Sequence, residues 1–197
     1  TLKVFYPVIL IHLWKRLHLM VLREWKILSK DGKDCEARWH MLMAAVEGGM
    51  SIYLELGPVH VLSHIFADSP IHHGALVTAS APPIMRFYYA QGDAEHQDRL
   101  NQLANAMKLP AGKDVDTGIM ELNNRPGLLN SVHKLGYPHK NPDALANLVE
   151  KVRFNTTAPI KPGRNEYREL IAQALGLSKS SALYLVACIY IKPFLNF

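Results

Sequence analysis

Cysteine is scarce in this chain, which has only Cys35 and Cys188 among 197 residues. They lie far apart with no CxxC pair beside either, which excludes a disulfide framework and a cysteine-rich zinc module. The expectation is two reduced thiols in a cytoplasmic protein. A secretory signal is not recognisable. The apolar stretch Val4 to Trp14 has only Lys3 as a basic residue ahead of it, contains His12, and runs into Lys15-Arg16 instead of a small-residue cleavage site. Long apolar runs are lacking as well. The tail Ala182 to Ile191 has ten residues, where a membrane-spanning helix needs about 20. Basic residues exceed acidic ones, with a net charge of +5 and a pI near 9.2. Lys and Arg are nevertheless scattered, densest at Lys15, Arg16, Arg23, Lys26, Lys30 and Lys33, with no basic run interleaved with aromatics, so no nucleic-acid partner is expected.

What is present suits a globular helical protein. Hydrophobic residues make up 49% and charged residues 20%, and 197 residues suffice for one good core or two small ones. Leu10, Trp14, Leu17, Val21, Trp25 and Leu28 recur at helical spacing behind Pro7. Asp34 is placed to cap a helix from about Cys35, in which Ala37, Met41, Ala44, Ala45, Gly48 and Gly49 offer a small-residue face. Gly57-Pro58 opens a helix to about Ala67. A helix from Gly74 to about Phe87 contains Pro82-Pro83, which predicts a kink or a break. Gly92-Asp93 starts another, with its apolar stripe at Leu100, Leu103, Ala104 and Met107. Asp114 to Asn123 reads as helix, Leu128 to Leu135 as a short helix ending at Gly136, and Asn141-Pro142-Asp143 as the start of one reaching Phe154. Thr156 to Gly163 is a loop, and Asn165 to Leu175 a helix stopped by Gly176. Strand patterning is confined to Tyr184 to Ile191, no internal repeat is visible, and the fold class is all-α.

Four of the ten histidines fall within His60 to His73. His60 and His64 are four residues apart on a helix that begins at Pro58, so they share a face. A third imidazole, from His72 or His73, follows just past Ser69-Pro70. Nitrogen donors gathered this way suit a divalent transition metal with open positions, and imidazole serves zinc and iron alike. The helix is not an HExxH zincin, because Val61 follows His60 and no acid stands ready as a base.

Taken together, four segments resemble the carboxy-terminal half of the iron-containing (group III) alcohol dehydrogenases. They are Asp34-Cys35-Glu36-Ala37-Arg38, Gly57 through His64 (G-P-V-H-V-L-S-H), His72-His73-Gly74, and Pro83-Ile84-Met85-Arg86-Phe87. The likeness runs from about Asp34 to Leu175, in the family's order. It implies a helical bundle in which His60 and His73 are metal ligands and His64 is the catalytic histidine beside the nicotinamide, moving a proton. His72 would then stand beside the site or serve structure. The implied cofactors are a divalent metal, Fe²⁺ first and Zn²⁺ second, and NAD or NADP held mainly by an amino-terminal α/β domain. The implied substrate is a small alcohol or aldehyde, and a homo-oligomer is left open.

The departures are equally specific. Neither the family's Gly-Gly-Gly-Ser nucleotide loop nor the Asp and His that complete its metal site is found, and the G-L-P element reads Gly127-Leu128-Leu129. The expected organisation is an amphipathic apolar and basic segment over 1–29, the helical metal-binding domain over 30–176, and an apolar tail over 177–197. Such a chain is expected to be a fragment, inactive alone. The alternatives are a non-catalytic helical interaction module derived from that domain and, from the basic apolar amino terminus, a membrane-surface protein.

Overall fold

The computed structural model describes residues 27–28, 30–50, 56–125, 127–138, 140–152, 154 and 158–177. The regular elements among them are helices: α1 (Cys35–Met50), α2 (Pro58–Ile65), α3 (His73–Gln91), α4 (Ala94–Ala106), α5 (Val115–Asn124), α6 (Pro142–Ala146) and α7 (Arg164–Leu175), with a 3-10 turn at Val149–Lys151. The all-α expectation holds for the described residues. None of these helices is long and apolar enough to cross a membrane. The helix expected over Leu10 to Leu28, apart from 27–28, and the β-rich Tyr184 to Ile191 lie outside the described residues, as does Cys188.

Capping chemistry explains most of the helix starts. Asp34 accepts the Ala37 N–H at 2.8 Å, Asp93 that of His96 at 3.1 Å, and Asn141 that of Asp143 at 2.9 Å with Pro142 in the first helical position. At the other end of α7, Gly176 takes φ 81°, a left-handed conformation that suits glycine and closes the helix.

Helix α3 is the central rod, with α2, α4, α5 and α7 packed on it. Leu62, Phe66, Leu76, Ile84, Tyr167 and Ile171 fill the core between them. Arg86 braces the same region from α3. Its Nη1 donates to Asp116 of α5 at 3.0 Å and its Nε to Gln173 of α7 at 3.4 Å.

The prolines in α3 do not break it, contrary to one of the two outcomes predicted for them, and the helix runs four residues past Phe87 to Gln91. Pro82 has no N–H to offer the Thr78 carbonyl one turn back. The buried Asn123 amide donates to that carbonyl instead, at 3.2 Å. A side chain from α5 thereby satisfies the polar group that the proline orphans.

Two further helix expectations fail. The helix expected from Leu128 to Leu135 is replaced by a single turn over 131–137, in which the Leu135 N–H reaches the Ser131 carbonyl at 3.2 Å and Gly136 closes the turn at φ 101°. Val132 N–H donates to the Ala174 carbonyl at 2.8 Å and Ser131 Oγ to that of Leu175 at 2.8 Å, so this segment caps α7. The helix expected from Pro142 to Phe154 stops at Ala146 and gives way to the 3-10 turn. At the stop, Asn147 Oδ1 accepts from Arg164 Nε and Nη2, which ties the segment to the start of α7.

On α1 the small-residue face is only partly used. Ala37 and Ala44 are buried, whereas Ala45 and Gly49 are exposed. Trp39, Leu42, Val46 and Met50, at 56–65% exposure, form an open apolar stripe.

Candidate metal centre

The histidine face of α2 is set by its opposite face. Val61, Leu62 and Ile65 are at most 4% exposed and anchor the helix in the core. Helical periodicity then turns His60 and His64 the other way. Phe66 to His72 make the connection, and His73 is the first residue of α3. His72 is spent on structure: its Nδ1 accepts the Gly74 N–H at 3.2 Å and caps α3. A Cβ at Gly74 would lie 3.3 Å from that same nitrogen, so glycine keeps the cap close.

The connection brings three imidazoles together. The ring centroids of His60 and His73 are 5.4 Å apart, and those of His64 and His73 are 5.6 Å apart. Two imidazoles that each place a nitrogen about 2.1 Å from a shared ion have centroids roughly 5 Å apart, so either pair fits two positions around a metal. Among the described residues, no group of three or more His, Cys, Asp or Glu side chains is placed to hold one ion. What the described residues offer is two pairs of imidazoles within reach of each other, both involving His73.

Electrostatics favours the ligating form of His60. Burial lowers its pKa below the ordinary 6.5, and the neighbouring His73 and His64 lower it further. Its ring stays neutral to lower pH than an exposed imidazole, and neutral imidazole is the form that binds a metal.

Phe154 adds a wall that the sequence reading missed. Its ring lies 4.9 Å from that of His64, tilted by 47°, whereas the sequence marked it only as a helix end. Nothing local signals this role, because the contact joins residues ninety positions apart.

Comparison with known proteins adds independent findings. The sequence profile described as the Fe-containing alcohol dehydrogenase family, C-terminal, matches residues 14–175. A 4-hydroxybutyrate dehydrogenase from Cupriavidus necator is 28% identical over 153 residues, covering 75% of this chain and 40% of that protein. The fold resembles an iron-containing alcohol dehydrogenase from Thermococcus thioreducens, with a TM-score of 0.70 at 24% identity over 83% of this chain and 43% of that one. It also resembles an alcohol dehydrogenase from Oenococcus oeni, with a TM-score of 0.70 at 19% identity over 81% of this chain and 43% of that one. The chain thus spans well under half the length of these relatives.

Proposed function

The chain belongs to the Fe-containing alcohol dehydrogenase family as its C-terminal helical domain, and we propose that it is the metal-binding half of an enzyme interconverting an alcohol with its aldehyde or ketone. The observation that carries this reading is the approach of His60 and His73 across the α2–α3 connection. In this proposal the two histidines are ligands, to Fe²⁺ first and Zn²⁺ second. The relative named for 4-hydroxybutyrate makes a short hydroxy acid the first substrate to try.

A divalent ion at this site would supply Lewis-acid polarisation of the alcohol oxygen, with NAD(P), held mainly by a separate domain, as hydride acceptor. The residues of this chain have distinct tasks. His60, half-buried, and His73 would hold the ion. His64 is exposed and adjoins His73, so its ring can pass a proton between the site and solvent. Phe154 lies against His64, with ring centroids 4.9 Å apart.

Two donors of the usual four hold a metal weakly, so the chain alone is expected to show little or no dehydrogenase activity. The test is metal analysis of the purified protein together with alcohol-dependent NAD(P)⁺ reduction in added Fe²⁺ or Zn²⁺. Metal lost from His60→Ala and His73→Ala supports the assignment. Robust turnover by this chain alone would overturn the half-site reading, and metal retained by both variants would overturn the ligands.

A second reading, a non-catalytic helical interaction module, is favoured by the open stripe Trp39, Leu42, Val46 and Met50 on α1. Metal-free protein with a defined protein partner would support it.

A further inference from the structure

Asp68 lies midway along the connection that sets the spacing of the histidines, and it is gripped from the far side of the sequence. The hydroxyl of Tyr137 donates to Asp68 Oδ1 at 2.9 Å, and the Lys140 ammonium pairs with Oδ2. Tyr137 is itself fixed. It is 1% exposed, and its ring stands edge-on to Phe66 with centroids 5.0 Å apart. Its segment hangs from the end of α7 through the bonds from Val132 and Ser131. Lys140 also sits over the Tyr137 ring, 5.3 Å from its centroid.

These contacts form a continuous path from the C-terminus of α7, through 131–137 and Asp68, to the turn that ends at His73. Helices α2 and α3 are each set by their buried faces, and the turn between them, held at Asp68, helps set where the first residue of α3 points its ring relative to His60 and His64. We propose that Tyr137, Asp68 and Lys140 act as a latch that positions His73 for metal binding, Asp68 being the positioning residue without touching the ion. The proposal rests on the metal-binding reading of His60 and His73. Groups that orient metal ligands govern metal affinity, and here the orientation is passed through the backbone of the turn and not through a direct hydrogen bond to a ligand.

The experiment titrates Co²⁺ and Zn²⁺ into the full chain and into the Asp68→Ala, Tyr137→Phe and Lys140→Gln variants, with His60→Ala as the binding control. Melting temperature in chelator and the imidazole proton NMR signals are recorded beside it. Binding weaker by about tenfold is expected for Asp68→Ala and Tyr137→Phe, with the His64 and His73 ring signals shifted and that of His96, remote from the latch, unmoved. Lys140→Gln removes only an exposed partner, so it folds even if the other two do not, and a smaller fall than for Asp68→Ala is expected for it. Wild-type affinity in all folded variants would overturn the latch while leaving the metal site intact. Absence of binding in the unmodified chain, or binding unaffected by His60→Ala, would overturn the metal reading and the latch with it.

Discussion

The imidazole centroids of His60 and His73 lie 5.4 Å apart although the two residues are thirteen positions apart in the chain. One belongs to the first turn of α2 and the other opens α3, so the pair exists only because the chain between them folds back.

His72 and His73 are neighbours with different tasks, and substitution should separate them. His73→Ala is expected to abolish metal binding. His72→Ala should leave binding in place and lower stability by about 1 kcal/mol, the cost of losing an N-cap. Equilibrium metal titration and urea unfolding on the two variants read the two effects independently.

Pro82 and Asn123 should be coupled energetically. Asn123→Leu strands the Thr78 carbonyl in a buried setting and is expected to cost about 2 kcal/mol. With Pro82→Ala in the same chain, the new backbone N–H can satisfy that carbonyl, and part of the loss should return. A double-mutant cycle in urea is expected to give a coupling of about 1 kcal/mol, and strict additivity would refute the compensation.

Removing Arg86 leaves the Asp116 carboxylate, 8% exposed at its side chain, without its partner. Breaking a fully buried pair costs roughly 3–5 kcal/mol. The Arg86 side chain is 44% exposed and solvent screens it, so Arg86→Ala is expected to cost about 2 kcal/mol by thermal or urea unfolding. Arg86→Lys should recover only part, because a single ammonium cannot reach both Asp116 and Gln173 as the guanidinium fork does.

The Asp68–Lys140 contact makes stability depend on pH at both extremes. The hydrogen bond from Lys140 holds the Asp68 carboxyl below its ordinary 3.8, against an opposing effect of burial, and Lys140 is raised above 10.5 by the same bond. A carboxylate whose pKa is depressed on folding adds stability above its unfolded value and loses it as pH falls through the folded one. The loss should therefore run below about pH 4. The Lys140 contribution has the opposite sign: it is present below 10.5 and disappears as pH rises through the raised value. Both groups are largely exposed, so the effects are small. Urea midpoints across pH should fall more steeply on the acid side for the wild type than for Asp68→Asn, and equal slopes would refute the pairing.

Residues that act through their immediate neighbours were readable in advance. Asp34, Asp93 and Asn141 cap the helices that follow them, Gly176 stops α7, and the four-residue spacing of His60 and His64 puts them on one helix face. Each depends on a repeat of a few residues or on one backbone conformation, and both are written in the order of the chain.

The failures share a different cause. Pro82-Pro83 looked able to break α3, and the helix continues because Asn123, forty-five residues from Thr78, supplies the missing donor. Leu128 to Leu135 looked helical, and the Val132 N–H and Ser131 hydroxyl are instead drawn to the carbonyls at the end of α7. Phe154 reached His64, and Tyr137 reached Asp68, across sixty-nine residues or more.

By itself, then, the sequence determined that the described part of the chain is helical, where most of its helices start, and that His60, His64 and His73 are the side chains to watch. Only the tertiary structure decided that His72 caps a helix while His73 turns toward His60, and that Asp68 ties the intervening turn to Tyr137 and Lys140. Local rules act over one turn of backbone. The spacing of two rings depends on how α2, α3 and α7 pack, and packing depends on contacts that no short window of sequence contains.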